Sequence, residues 1–193
     1  MPPKFKFTKE EITQAAVQVT KKQGKTGLTA RALAAELGCS VKPIFGLFKN
    51  MEEVQQEVWI AANNLYQKYL HEEMASGKYP PYKASGMAYI RFAKEETELF
   101  KLLFMCDRSK KEQEMQATQL QPIIELIQKN LGLSKERAYL FHMEIWIFVH
   151  GMATMIATSY LNWDMDFVSN ALTETYSALK QYYCEEEKHN GGN

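Results

Sequence analysis

The sequence lacks most features that announce a specialised chemistry. It has three cysteines in 193 residues, Cys39, Cys106 and Cys184, with no CxxC pair. An odd, widely spaced set excludes a disulfide framework and suits reduced thiols in a cytoplasm. No uninterrupted apolar run approaches the ~20 residues that cross a bilayer, so no membrane is expected among its partners. Met1–Phe7 is basic with no apolar stretch behind it, so no signal peptide is expected. There is no Walker loop, GxGxxG, HExxH or GxSxG. The single Glu-x-x-His match, Glu186 to His189, has no partner motif, and a di-iron bundle needs two. His142 and His150 stand eight apart, too far for easy joint ligation. No catalytic residue, metal or cofactor is therefore expected, and the chain does not read as an enzyme.

Net charge is absent too, but only in sum. Residues 1–50 hold nine cations, Lys4, Lys6, Lys9, Lys21, Lys22, Lys25, Arg31, Lys42 and Lys49, against Glu10, Glu11 and Glu36. That is +6 on the first quarter and −6 on the rest. A basic end on an acidic body is what phosphate contact by one end requires, although surface charges also scatter by chance.

What is present is apolar periodicity of helical spacing, in a chain that is 46% hydrophobic. There is no sustained strand alternation and no internal repeat. Thr8-Lys9-Glu10-Glu11 is a capping box. It opens a helix with Ile12, Ala15, Ala16 and Val19 on one face, ending before Gly24. Thr29 caps a short helix over Ala30 to Leu37, and Ser40 caps another over Val41 to Phe48, with Pro43 in its first turn. Asn50 caps a long helix running toward Ser76. Gly77 to Pro81 is the clearest break. Helices are predicted beyond it near 82–94, 97–105, 113–130, 135–160 and 166–186, with Pro122 kinking or splitting the third. A disordered tail is expected at 188–193.

The spacing around Gly38 carries the most information. Two helices crossing at a tight turn need a small residue at the contact, a glycine able to take positive φ, and apolar pins. Ala34, Gly38, and the set Leu33, Leu37, Cys39, Ile44 and Leu47 supply these in order. This run, from Leu28-Thr29-Ala30-Arg31 through Ile44-Phe45-Gly46-Leu47-Phe48 to Asn50-Met51-Glu52-Glu53, resembles the TetR/AcrR-type repressors between Ile12 and about Trp59. The resemblance implies a helix-turn-helix whose second helix enters the major groove of double-stranded DNA. It implies contacts from Thr29, Arg31, Ser40, Lys42, Pro43, Phe45, Gly46 and Lys49. Phe45 stands where the family commonly has tyrosine, and Gly46 replaces a bulkier, often polar residue. Leu47 and Met51 also depart from the family pattern.

The expected architecture is all-α. A three-helix DNA-binding head spans 1–50, and a helical ligand-binding and dimerisation bundle spans 51–187. Aromatic and methionine side chains in the second part suit a helical core, and methionine also suits an irregular apolar pocket. The resemblance implies a pocket for a small apolar or amphipathic effector, with Leu65, Phe92, Phe104, Met105, Met143, Trp146 and Ile147 as candidates. It also implies a homodimer through the last two helices, with His150, Met152, Met155, Tyr160 and Leu161 as candidates. Gly151, Ala153, Ala157 and Thr158 are small enough for close helix approach. The expected function is that of a ligand-responsive transcriptional regulator, a repressor, on a near-palindromic operator. The alternative is a helical small-molecule-binding or catalytic protein whose basic head contacts another acidic partner.

Overall fold

A computed structural model describes residues 7–106 and 113–190, with backbone alone at 113–119 and 187–190. Every regular element among the described residues is a helix: α1 (Lys9–Gly27), α2 (Ala30–Glu36), α3 (Lys42–Phe45), α4 (Met51–Ala75), α5 (Pro81–Glu95), α6 (Thr97–Phe104), α7 (Gln113–Leu131), α8 (Lys135–Ala157) and α9 (Met165–Asn190).

Local chemistry explains most boundaries. The capping box forms: Thr8 Oγ1 accepts from Glu11 N–H at 3.1 Å, and Glu11 accepts from Thr8 N–H at 2.8 Å. At Gly24 the chain leaves helical dihedrals (φ 71°, ψ −179°), a region open essentially to glycine, before a last turn completes α1. Thr29 caps α2 by accepting from Ala32 N–H at 3.1 Å. Ser40 does not cap α3. Val41 occupies the cap position in helical conformation, so no extended residue is there to turn a side chain back. Regular α3 is also shorter than predicted, although Phe48 N–H still donates to Ile44 C=O at 2.9 Å and extends helical geometry to Phe48. Pro122 does not split α7, which absorbs the missing N–H at an exposed position. The expected tail is helical as far as Asn190, and 191–193 lie outside the described residues.

Packing makes two apolar clusters. In the head, Ile12, Ala16 and Val19 of α1 meet Leu33 and Ala34 of α2, Ile44 and Phe48 around α3, and Val54 and Val58 of α4. The larger cluster lies among α5 to α9 with the middle of α4. Thus α4 belongs to both parts, its first turns to the head and Ala62 onward to the body. Val17 of α1 and Leu102 of α6 pack against both clusters and form the seam. Two polar contacts reinforce it: Lys21 Nζ donates to Glu96 at 2.7 Å, and the Glu98 carboxylate approaches Gly24.

α8 is the central helix. By length and composition it could cross a membrane, with mean hydropathy 1.4 over its apolar window. No uninterrupted apolar run marks it in the sequence, because Glu144 and two histidines break the stretch. In the fold it packs against α5, α6, α7 and α9. Two matched bonds join it to α5: Tyr82 hydroxyl to His142 Nδ1 at 2.9 Å, and Tyr89 hydroxyl to His150 Nδ1 at 2.8 Å. Arg91 closes α5 onto α4, donating to Glu73 at 2.8 Å and Glu72 at 3.2 Å while lying over the Tyr69 ring.

Burial holds the His142 imidazole below its ordinary pKa of 6.5, which favours the neutral ring beside the Tyr82 hydroxyl. As pH falls, the unfolded chain takes up this proton first. The contribution to stability is therefore complete above pH 6.5 and declines as pH falls through the folded-state value. A melting series from about pH 8 to about pH 5 should show this decline, with a shallower slope in His142→Gln. A second prediction concerns Gly38, which has φ 61° and no atom near the place a Cβ would occupy. Gly38→Ala should cost about 1–2 kcal/mol of conformational energy alone, and Gly38→Asn clearly less. Chemical denaturation of both variants checks the order.

Candidate nucleic-acid interface

α2, the Gly38 turn and α3 form a helix-turn-helix on the surface of the head. The turn closes through backbone bonds, with Gly38 N–H donating to Ala35 C=O at 3.1 Å and Cys39 N–H to Ala34 C=O at 2.9 Å. Leu33 and Ala34 are buried beneath it. α3 is too short to be stable alone, because nucleating a helix is unfavourable until several bonds follow. Ile44 and Phe48, four apart and buried, pin it to α1, α2 and α4. Burying two such side chains contributes about 1.5–3 kcal/mol each, enough to offset much of the cost of fixing the segment, about 1–2 kcal/mol per residue.

Other side chains of the same segment are exposed. Val41 is 38% and Phe45 45% exposed, and Ser40, Lys42, Gly46 and Lys49 are exposed beside them. Thr29 and Arg31, at the start of α2, share this exposure, while Pro43 is half-buried. Of the eight sequence candidates, seven are exposed and Pro43 is half-buried. Exposure adds Val41, four residues before Phe45, which sequence reasoning missed.

The charges sort themselves. Lys9 donates to Glu53 at 2.9 Å, Lys21 to Glu96 at 2.7 Å and Lys22 to Glu36 at 2.8 Å, so these three cations are satisfied internally. Glu53 also accepts from Lys49 N–H at 2.7 Å, and this bond, followed by Lys9, holds its carboxyl below the usual range. Among the described residues, the head cations without a carboxylate partner are Lys25, Arg31, Lys42 and Lys49. Three of the four lie on the helix-turn-helix, where positive charge remains available to phosphates.

The C-terminal candidates divide. Leu65, Phe92 and Phe104 pack among α4, α5 and α6 around Tyr66, whose ring lies 5.4 Å from Phe92 and 5.1 Å from Phe104. Tyr89 joins them, 4.8 Å from Phe104. Burial raises the Tyr66 hydroxyl well above its ordinary pKa, and among the described residues it has no hydrogen-bond partner. Sequence reasoning missed Tyr66, because a tyrosine on a long helix carries no sign of its neighbours. Met105, Trp146 and Ile147 are not part of this cluster and are exposed, Ile147 at 62%. Met143 is half-buried. On α8, Ile145, Val149 and Met152 take the buried stripe, which turns Trp146 and Ile147 away from it.

Of the dimer candidates, Met155, Tyr160 and Leu161 are exposed, while His150 is half-buried, stacked on Trp146 and bonded to Tyr89. Met152 is buried in the protomer's own core, as are Ala153 and Ala157. Ala153 and Ala157 lie one helical turn apart. Gly151 has open space beside it.

Comparisons with known proteins bear on this arrangement. Residues 82–177 match the family described as tetracyclin repressor-like, C-terminal domain. Among curated proteins none matches the chain. A solved structure, a candidate transcriptional regulator from Pseudomonas aeruginosa PAO1, superposes with a TM-score of 0.66. The two share 13% identity over 94% of this chain and 96% of that one, so the likeness is one of fold. With a helix-turn-helix head ahead of a tetracyclin repressor-like C-terminal domain, the chain belongs to the TetR-type family of transcriptional regulators.

Proposed function

We infer that the protein is a cytoplasmic, ligand-responsive repressor that binds a near-palindromic DNA operator as a homodimer. The observation that carries this reading is the exposed surface of the helix-turn-helix, where Arg31, Lys42 and Lys49 have no carboxylate partner, while Lys9, Lys21 and Lys22 elsewhere on the head do. Lys42, on the first turn of α3, reaches a guanine edge or a phosphate. Thr29, Ser40, Lys49 and Arg31 flank it at positions suited to the sugar-phosphate backbone.

Dimerisation rests on α8 and α9. Tyr139, Leu140, Trp146, Ile147, Met155 and Phe167 are large apolar side chains left exposed there. Such a face is expensive in water and suits a symmetry mate. Two heads then present recognition helices about 34 Å apart, matching half-sites one helical turn apart.

The effector is a small apolar or amphipathic molecule received by the aromatic cluster around Tyr66. α6 supplies Phe104 to that cluster and Leu102 to the head seam, with Glu96 and Glu98 at its start meeting Lys21 and Gly24. A shift of α6 or α4 would therefore alter the pose of the head. Coupling of about 1–3 kcal/mol changes operator affinity roughly 5- to 150-fold.

Selection of bound sequences from random duplex DNA at about 150 mM salt, where nonspecific binding is weak, should recover a near-palindrome. Lys42→Ala should weaken binding to it by about 1–3 kcal/mol without changing the sedimentation of the free dimer. Recovery of no sequence above background, or unchanged affinity in Lys42→Ala, contradicts this reading.

A further inference from the structure

The reading face has an unusual chemistry, and it narrows what the protein reads. In the major groove, adenine is recognised best by the bidentate amide of Asn or Gln. Cytosine needs a carboxylate acceptor, guanine a cationic donor, and thymine an apolar contact with its C5-methyl group. From Cys39 to Asn50 there is no Asp, Glu, Gln or Arg. The one amide, Asn50, spends its Oδ1 accepting from Glu53 N–H at 2.9 Å as the cap of α4. Adenine and cytosine therefore have no dedicated reader on this segment. The exposed groups that remain are Lys42, Ser40, Lys49 and two large apolar side chains, Val41 and Phe45.

Those two side chains are exposed at some expense. Neither packs into the head cluster, which already holds Ile44 and Phe48 from the same segment. Each is flanked by a cation without a carboxylate partner: Lys42 follows Val41, and Lys49 lies one turn beyond Phe45. An apolar pair flanked by two cations suits a surface that carries both apolar groups and negative charge. It is well matched to a duplex groove, which offers methyl groups between two rows of phosphates. Gly46, exposed next to Phe45, has no side chain to hold the helix off the DNA.

We propose that this regulator selects its operator chiefly through thymine C5-methyl groups, contacted by Val41 and Phe45, with Lys42 reading an adjacent guanine. Residues four apart on a helix have Cβ atoms about 5–6 Å apart, and base pairs rise about 3.4 Å each. The two side chains therefore reach methyls one or two base pairs apart, so each half-site carries closely spaced thymines beside a guanine. This inference rests on the DNA-binding reading above, and the test separates the two.

The operator selected from random duplex DNA is resynthesised with deoxyuridine replacing each thymidine in turn, and then all together. Deoxyuridine keeps base pairing and removes only the methyl. Each contacted position should lose affinity about fourfold, the value for burying one methyl-sized group. Fully substituted DNA should lose on the order of a hundredfold, for two methyls in each of two half-sites. Val41→Ala and Phe45→Ala should each lower the preference for thymidine over deoxyuridine at their own position. Both side chains are exposed, so neither variant threatens the fold. A selected operator that binds equally well with deoxyuridine throughout overturns the methyl proposal and leaves DNA binding standing. A thymidine preference unchanged in both variants also overturns the assignment. Selection that yields no preferred sequence overturns both readings.

Discussion

The burial of Ile44 and Phe48 beneath α3 is the contact on which the rest depends. A segment with a single regular helical turn has no stability of its own. These two side chains reach the cluster built by α1, α2 and the first turns of α4, and so fix which residues face outward. Val41 lies three residues before Ile44 and Phe45 three before Phe48, so both border the buried pair and are left part-exposed at its edge. The exposed apolar edge is thus set by where the anchor lies. Any change that loosens the anchor scrambles the face without touching a residue on it.

The same cluster ties the head to the body. Val54 and Val58 of α4 lie in it, and the helix then continues into the aromatic cluster around Tyr66. α6 makes the second link, through Leu102 and the Lys21–Glu96 pair. Two rigid helices therefore run from the aromatic cluster to the head. That arrangement lets occupancy at one end be felt at the other through packed side chains rather than through a flexible linker. Gly24, in dihedrals that glycine alone adopts readily, sets the turn of chain lying against α6.

What the sequence made legible was local. Thr8 with Glu11, Thr29 and Asn50 cap helices where their patterns say, because a cap is decided within four residues. Gly38 was legible because positive φ at a tight turn leaves few alternatives. Ser40 misled because a good capping residue is also a good turn residue, and the turn here hands Val41 over already helical. On α8 the residues that decide core against surface are apolar on every side. Met152, Ala153 and Ala157 go inward and Trp146 and Ile147 outward, and only the positions of α5 and α9 choose between them. The Tyr82–His142 and Tyr89–His150 bonds join residues 60 and 61 positions apart, which no local pattern encodes.

Photochemical cross-linking tests the central claim, that the anchored face of α3 is what touches bases. With 5-iodouracil at the thymine positions of the selected operator, the iodine occupies the place of the methyl, and irradiation joins it to the aromatic side chain it meets. The expected adduct is at Phe45. Adducts confined to the C-terminal bundle, or to head residues away from 40–49, would contradict the account.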